Sequence, residues 1–347
     1  MTKIRVLVVD DSFFMRRFIS KMLTKSPSIE VIDTAKNGLE AVAKTLELAP
    51  DCITMDVEMP VLDGLEAVRR IMRERPTPII MLSTLTQEGA EVTLKALSLG
   101  AVDFLPKPVS NQYTGITELE KELQEKVLAC GTLRRERLLT AVAQLPPVSS
   151  AISPASPSSG NHHRLVIIGS STGGPNALQQ IIPRLPSSFP SPMVIVQHMP
   201  VGFTRYLAER LNSISSLDVR EAQEGDNLRP GTVLLAPGGT HLRIDSLRRI
   251  HLTTEPTRHG VRPSVDVTLE TAATVAGKDA VGVILTGMGS DGAVGLGCVK
   301  RVGGTTLAQD EHSCVVYGMP RAAVEMGYVD QVVPLNGMAE AITATVS

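Results

Sequence analysis

The stretch IGSSTGG, residues 168–174, sets two serines among glycines directly after the apolar run LVI. Gly169, Ser171 and Gly173 satisfy the spacing GxSxG where a strand should turn sharply into a helix, a context that exposes the central hydroxyl. The glycines allow a strained turn and close approach of a substrate, and the following helix N-terminus offers amide hydrogens to developing negative charge. Ser170 occupies the free position of the pattern. A glycine turn capped by serine is the plainer reading until a base is found.

Seven histidines compete for that role. His162 and His163 border a Pro/Ser stretch, and His241, His251, His259 and His312 fall in or near turns and hairpin-like strands. His198 differs, because it ends the run MVIVQ and should emerge at a strand's carboxyl end. Asp291 follows the run AVGVILTG within MGSDGA. In a parallel sheet Ser171, His198 and Asp291 converge on one edge, the edge where open α/β sheets bind ligands. That is the outline of a nucleophile, base and orienting acid.

A second constellation lies nearer the N-terminus. Asp10 and Asp11 end VLVV and Asp56 ends CITM, so three carboxylates gather at one sheet edge and demand a cation. A hard Mg²⁺ suits oxygen ligands and recruits phosphate, which makes a neighbouring carboxylate a plausible phosphoryl acceptor. Ser83 ends PIIML and Lys107 follows VDFLP, where a hydroxyl and an ammonium could hold phosphate oxygens. Asp11 or Asp103 alone would be read as a helix cap.

These groups need two sheets to position them. A chain of 347 residues exceeds one average core, so two domains are expected. The runs IRVLVV, VIDTA, CITM, PIIML and VDFL alternate with amphipathic segments and predict a five-stranded βα domain. ITELEKELQEKVLACGTLRRERLLTAVAQL then reads as its last helix. QLPPVSSAISPASPSSGN, residues 144–161, is too rich in Pro and Ser to pack and reads as a linker. Beyond it LVIIG, MVIVQ, TVLLA, HLRI, AVGVILTG and TTLA predict a second α/β sheet, with antiparallel pairing where HLRI and RIHLT adjoin. The division is 1–125, 126–161 (helix end and linker) and 162–347.

Composition narrows the function. Thirty-four basic against 36 acidic side chains give a formal charge of -2, with no field suited to nucleic acid. Cys52, Cys130, Cys298 and Cys314 include no CxxC pair, which argues against a zinc cage or disulfide scaffold and for a reducing cytoplasm. No apolar run approaches a membrane span, and MTKIRVLVVDDS meets acids too early for a signal peptide. A soluble protein without membrane insertion is expected.

VVDDS at 8–12, DVEMPVLDG at 56–64, Ser83 and KP at 107–108 resemble a response-regulator receiver domain across residues 3 to about 125. The resemblance implies a flavodoxin-like (βα)5 fold in which Asp56 accepts a phosphoryl group from a histidine kinase. It implies Mg²⁺ on Asp10, Asp11, Asp56 and the backbone carbonyl of Glu58, and switch roles for Ser83, Phe104 and Lys107, the last before a cis Pro108. A half-buried strand aromatic is the plainer reading of Phe104. GSSTGGP, VQHMPVGFT and ILTGMGSDGA resemble the catalytic domain of protein-glutamate methylesterases, the CheB family of chemotaxis response regulators, over residues 164–347. This implies a mainly parallel, Rossmann-like domain with Ser171 as nucleophile, His198 as general base then acid, and Asp291 orienting His198. Thr172 and the Met288 N–H are then expected at the oxyanion, and no cofactor in the esterase chemistry. Methylated glutamates of chemoreceptors are the implied substrates, receptor glutamines a second class, and a monomer the expected state. GVRPSVD at 260–266 also matches, leaving Arg262 a substrate or structural contact. The architecture suggests that the unphosphorylated receiver covers the active edge.

Two rival readings remain open. Gly287, Gly289 and Gly292 spell the dinucleotide pattern GxGxxG after a strand, with Asp310 ending TTLAQ, although Asp291 would place an anion where the pyrophosphate sits. In the other, the second half is a non-catalytic receptor adaptor whose Ser, His and Asp are turn and cap residues.

Overall fold

The computed structural model describes residues 3–84, 86–107, 116–133 and 164–347. The 144–161 stretch, His162, His163 and Pro108 lie outside them. The chain forms two units, Met1–Ala143 and Gln144–Ser347.

In the first unit the apolar runs are strands β1 (Ile4–Val9), β2 (Ile29–Ala35), β3 (Cys52–Asp56), β4 (Ile79–Ser83) and β5 (Asp103–Pro106). They pair in parallel in the order β2-β1-β3-β4-β5. Every residue of β3 and β4 is buried, as expected of strands covered on both faces. Helices α1 (Phe13–Thr24), α2 (Gly38–Leu48), α3 (Gly64–Glu74), α4 (Gln87–Ser98) and α5 (Ile116–Gly131) connect or follow them. Ser12, Asn37, Asp63 and Thr86 cap α1 to α4, each accepting a backbone N–H three residues on. Such caps contribute about 1 kcal/mol apiece and fix where each strand-end loop stops.

The second unit has seven parallel strands in the order β14-β13-β12-β6-β7-β9-β8. They are β6 (Leu165–Ser170), β7 (Met193–Gln197), β8 (Asp218–Glu221), β9 (Thr232–Leu235), β12 (Ala280–Ile284), β13 (Thr305–Gln309) and β14 (Gln331–Val333). The helices are α6 (Gly174–Ile181), α7 (Phe203–Ile214), α8 (Val265–Ala276), α9 (Ala293–Arg301), α10 (Met319–Glu325) and α11 (Met338–Val346). HLRI and IHLT do pair antiparallel, but as a separate two-stranded sheet, β10 (His241–Ile244) with β11 (Ile250–Thr253). β8 and β14 carry no apolar run, since DVRE and QVV are short edge strands with little to bury. Leu165, Ile167, Val194, Val196, Leu269 and Leu296 anchor the core between sheet and helices.

Chain direction reverses at β6. From β6 the chain moves to β7 on one side, and after the hairpin it returns through α8 to β12 on the other. Loops leaving β6 and β12 therefore diverge and open a crevice at the carboxyl ends, the usual ligand position in such sheets. Among the described residues no helix is long and apolar enough to cross a membrane.

Candidate active site

Register brings the serine and the histidine together. β6 pairs with β7 so that Ser170 faces Gln197, and the next residues along are Ser171 and His198. The His198 N–H donates to the Ser170 carbonyl at 3.1 Å, and the Ser171 N–H to the Thr286 carbonyl beyond β12 at 3.1 Å. Ser171 thus sits at the central strand end, with the His198 and Asp291 loops on either side. Gly287 is required there, because a Cβ at that position would lie 2.8 Å from the Ser171 Cβ.

Asp291 is 2 % exposed and saturated with donors. His198 Nε2 lies 2.8 Å from its Oδ2, which also accepts the Val265 N–H at 2.7 Å. Its Oδ1 accepts the Ser264 hydroxyl at 2.8 Å and the Asp266 N–H at 3.0 Å. Ser264 is the N-cap of α8 yet makes no side-chain cap bond, because its hydroxyl goes to Asp291. The carboxylate itself serves the helix's first N–H groups, where the helix dipole favours negative charge. Burial, the largest influence, works to raise the Asp291 carboxyl, but His198 and the backbone donors outweigh it and hold it below the ordinary value. His198, with a side chain 11 % exposed, spends Nε2 on this anion and leaves Nδ1 without a hydrogen-bond partner among the described residues. Among the described residues Ser171 Oγ makes no hydrogen bond to that nitrogen, a contact that commonly tightens only with substrate in place.

A second layer escaped sequence reasoning. The Gln197 carboxamide bonds the carbonyls of both Ser171 and His198. Buried His241 accepts the Ser264 N–H, while Asp266 accepts Gly295 N–H and pairs with His259 at 2.8 Å. The available signals were a polar residue ending an apolar strand and the SVD turn before α8. Thr172 is buried at the base of α6. The Gly287 N–H is spent on Val316 and the Gly287 carbonyl accepts from Gly318 and Met319, which clamps the turn below Met288. The Met288 N–H itself has no acceptor among the described residues. The Arg262 guanidinium donates to the Thr254 and Glu255 carbonyls.

The GxGxxG turn does not offer a pyrophosphate seat, because the buried Asp291 carboxylate lies within it and Gly287 packs on Ser171. Asp310 is engaged with the Ser313 N–H at 3.1 Å and with the Ser313 hydroxyl.

In the first unit Asp10, Asp11 and Asp56 bring one carboxylate oxygen each within 4.8 Å of the others. Lys107 Nζ lies 2.8 Å from Asp10 Oδ2 and 2.7 Å from Asp56 Oδ2. Asp10 Oδ2 is buried with the Lys107 ammonium as its polar neighbour, and one such contact leaves a carboxylate oxygen further acceptor capacity. Asp11, Asp56, Glu58, Thr84 and Lys107 line a cleft of about 230 Å³. An all-oxygen, net-negative set with an unfilled acceptor suits a hard divalent cation. Ser83 is buried and donates either to the Gly89 carbonyl in the first turn of α4 at 3.1 Å or to that of Thr84, ahead of the helix, at 3.2 Å. Phe104 is 4 % exposed, fully buried rather than half-buried, with Lys126 Nζ 5.8 Å from its ring centre.

Burial pushes the Asp56 carboxyl up to about 6, against the pull of Lys107 and with the Asp10 charge adding to the rise. Folding therefore favours the protonated form, a contribution complete below the unfolded value near 4 and lost as pH rises through about 6. Without Mg²⁺, Asp56→Asn is expected to stabilise the first unit by about 1–2 kcal/mol at pH 7.5 and by much less at pH 4.5. Denaturant unfolding at the two pH values checks this, and an equal gain at both would contradict it.

Comparison with known proteins places both halves. Residues 166–342 match the family described as CheB methylesterase and residues 6–114 the response regulator receiver domain. A relative from Symbiobacterium thermophilum, named protein-glutamate methylesterase/protein-glutamine glutaminase, is 49% identical over 99% of this chain and 97% of its own. One of the same name from Thermotoga maritima is 46% identical over 95% of each chain. The crystal structure of the Thermotoga maritima CheB methylesterase catalytic domain covers 52% of this chain and 98% of its own, with 46% identity and a TM-score of 0.52.

Proposed function

The chain belongs to the CheB methylesterase family, with a receiver domain ahead of the hydrolase, and from that premise we propose how its residues divide the work. The protein is a receiver-regulated protein-glutamate methylesterase and protein-glutamine glutaminase. Ser171 attacks the γ-carbonyl of a methylated receptor glutamate as its hydroxyl proton passes to His198 Nδ1. The Met288 N–H and Thr172 meet the oxyanion, and one such donor contributes about 3–4 kcal/mol to the transition state. His198 then returns the proton to departing methoxide, releasing methanol and leaving an acyl ester on Ser171. Water, deprotonated by His198, cleaves that ester to give glutamate and free Ser171. Asp291 holds the imidazole by Nε2 and balances its transient positive charge. A receptor glutamine follows the same steps, more slowly, because an amine leaves less readily than an alkoxide.

The observation that carries this reading is the 2.8 Å His198–Asp291 contact, anchored on the first turn of α8 beside the strand end that bears Ser171. In the receiver, Asp56 accepts the phosphoryl group from a histidine kinase and Lys107 pairs with its oxygens. Asp10, Asp11, Asp56 and the Glu58 carbonyl would hold Mg²⁺, which neutralises phosphoryl charge when bound. The reading places the protein in the cytoplasm as a monomer, with receptors as substrate and no cofactor for ester cleavage.

The test is methanol release from methylated receptor membranes, with and without a small phosphodonor and Mg²⁺. Release should occur and should rise when both are added, and Asp56→Asn should lose the response. Absence of release under both conditions would contradict the hydrolase reading, and a full response in Asp56→Asn the regulatory one.

A further inference from the structure

Gln197 is 2 % exposed at the last position of β7, beside the two strand ends that carry the nucleophile and the base. Its carboxamide makes three hydrogen bonds: Nε2 donates to the Ser171 carbonyl at 3.0 Å and to the His198 carbonyl at 3.1 Å. Its Oε1 accepts the hydroxyl of Ser170, also buried, at 2.6 Å. We propose that Gln197, held in orientation by Ser170, is a positioning residue that sets the spacing between Ser171 and His198 for acyl transfer.

The inference rests on the hydrolase reading and deepens it. One amide joins the carbonyls of Ser171 and His198 just past the paired ends of β6 and β7, where the ladder between the two strands stops. A reversed amide would aim Oε1 at two carbonyl oxygens and lose the Ser170 donor bond, so a single orientation is stable. The glycine pair after Thr172 fits the same device: a Cβ on Gly174 would stand 2.0 Å from Gln197 Oε1. This accounts for Ser170, the first serine of GSSTGG, whose hydroxyl points to the clamp and not to substrate. Neither Ser170 nor Gln197 is placed to touch the ester.

Proton transfer from Ser171 needs its oxygen within hydrogen-bond reach of His198, and a displacement of about 1 Å can cost roughly 100-fold. Gln197→Met, similar in shape but without the amide, is therefore expected to lower kcat by about 30- to 100-fold while leaving the receptor KM within about twofold. Gln197→Glu, which presents oxygen to both carbonyls, should lose at least as much. Ser170→Ala should lower kcat by about fivefold in the wild-type chain and by almost nothing in Gln197→Met, because it acts through the amide.

The full chain is assayed for methanol release over a range of methylated receptor concentrations, with thermal unfolding recorded for each variant. A large loss in kcat at constant KM, with Ser170→Ala silent in the Gln197→Met background, supports the clamp. An unchanged kcat in a folded Gln197 variant, a loss confined to KM, or fully additive losses would overturn it. If the Gln197 variants do not fold, Ser170→Ala alone decides, since a loss in kcat at constant KM supports the clamp and an unchanged kcat overturns it. An inactive wild-type chain would overturn the hydrolase reading and the clamp together; an active wild type with an equally active Gln197→Met overturns the clamp alone.

Discussion

Ser171→Ala is expected to lower methanol release from methylated receptors by about 10⁴- to 10⁶-fold, the scale seen when the nucleophile of a serine hydrolase is removed. The loss should appear in kcat, with the receptor KM little changed, because the hydroxyl is needed for bond formation more than for docking. The contrast with Ser170 makes the result specific. Both serines lie in the same turn, but Ser170 is fully buried and committed to Gln197, whereas Ser171 is partly exposed at the crevice. Comparable losses from Ser170→Ala and Ser171→Ala, measured side by side, would contradict the assignment.

Asp291→Asn is the second large effect. The carboxylate accepts from His198, the Ser264 hydroxyl and two backbone N–H groups. An amide can accept on one side only, so its NH₂ must face donors it cannot satisfy. The imidazole would then be held in the tautomer that protonates Nδ1, the nitrogen meant to receive the Ser171 proton. A similar change in a serine protease triad costs about 10⁴-fold in kcat, and a comparable fall in methanol release is expected here. Buried donors left unpaired should also destabilise the second unit by about 2–4 kcal/mol. Denaturant unfolding checks this, and a variant that kept both its activity and its stability would remove Asp291 from the account.

Sequence pattern made the strand ends legible because fully buried parallel strands announce themselves as unbroken apolar runs. A chemically distinctive residue directly after such a run, such as Asp10, Ser171 or His198, inherits its place from the topology. The edges were not legible: β8 and β14 bury too little to leave an apolar signature. Nor was the supporting shell, because contacts such as Ser264 to Asp291 and Asp266 to Gly295 join segments separated by 27 and 29 residues through polar side chains that resemble ordinary caps. Phe104 illustrates the same limit, since a strand aromatic gives no sign of whether its face is covered. Gln197 was hidden in another way, because nothing in the run MVIVQ tells that its last side chain bonds the carbonyls of two neighbouring strand ends.

The most direct test of the whole account is the chemical identity of the intermediate. Wild-type protein mixed with a methylated receptor fragment, quenched in acid within the first turnover and digested, should yield the peptide containing Ser171 carrying the fragment less one methanol. A covalent adduct on any other residue, or undiminished methanol release by Ser171→Ala, would contradict it.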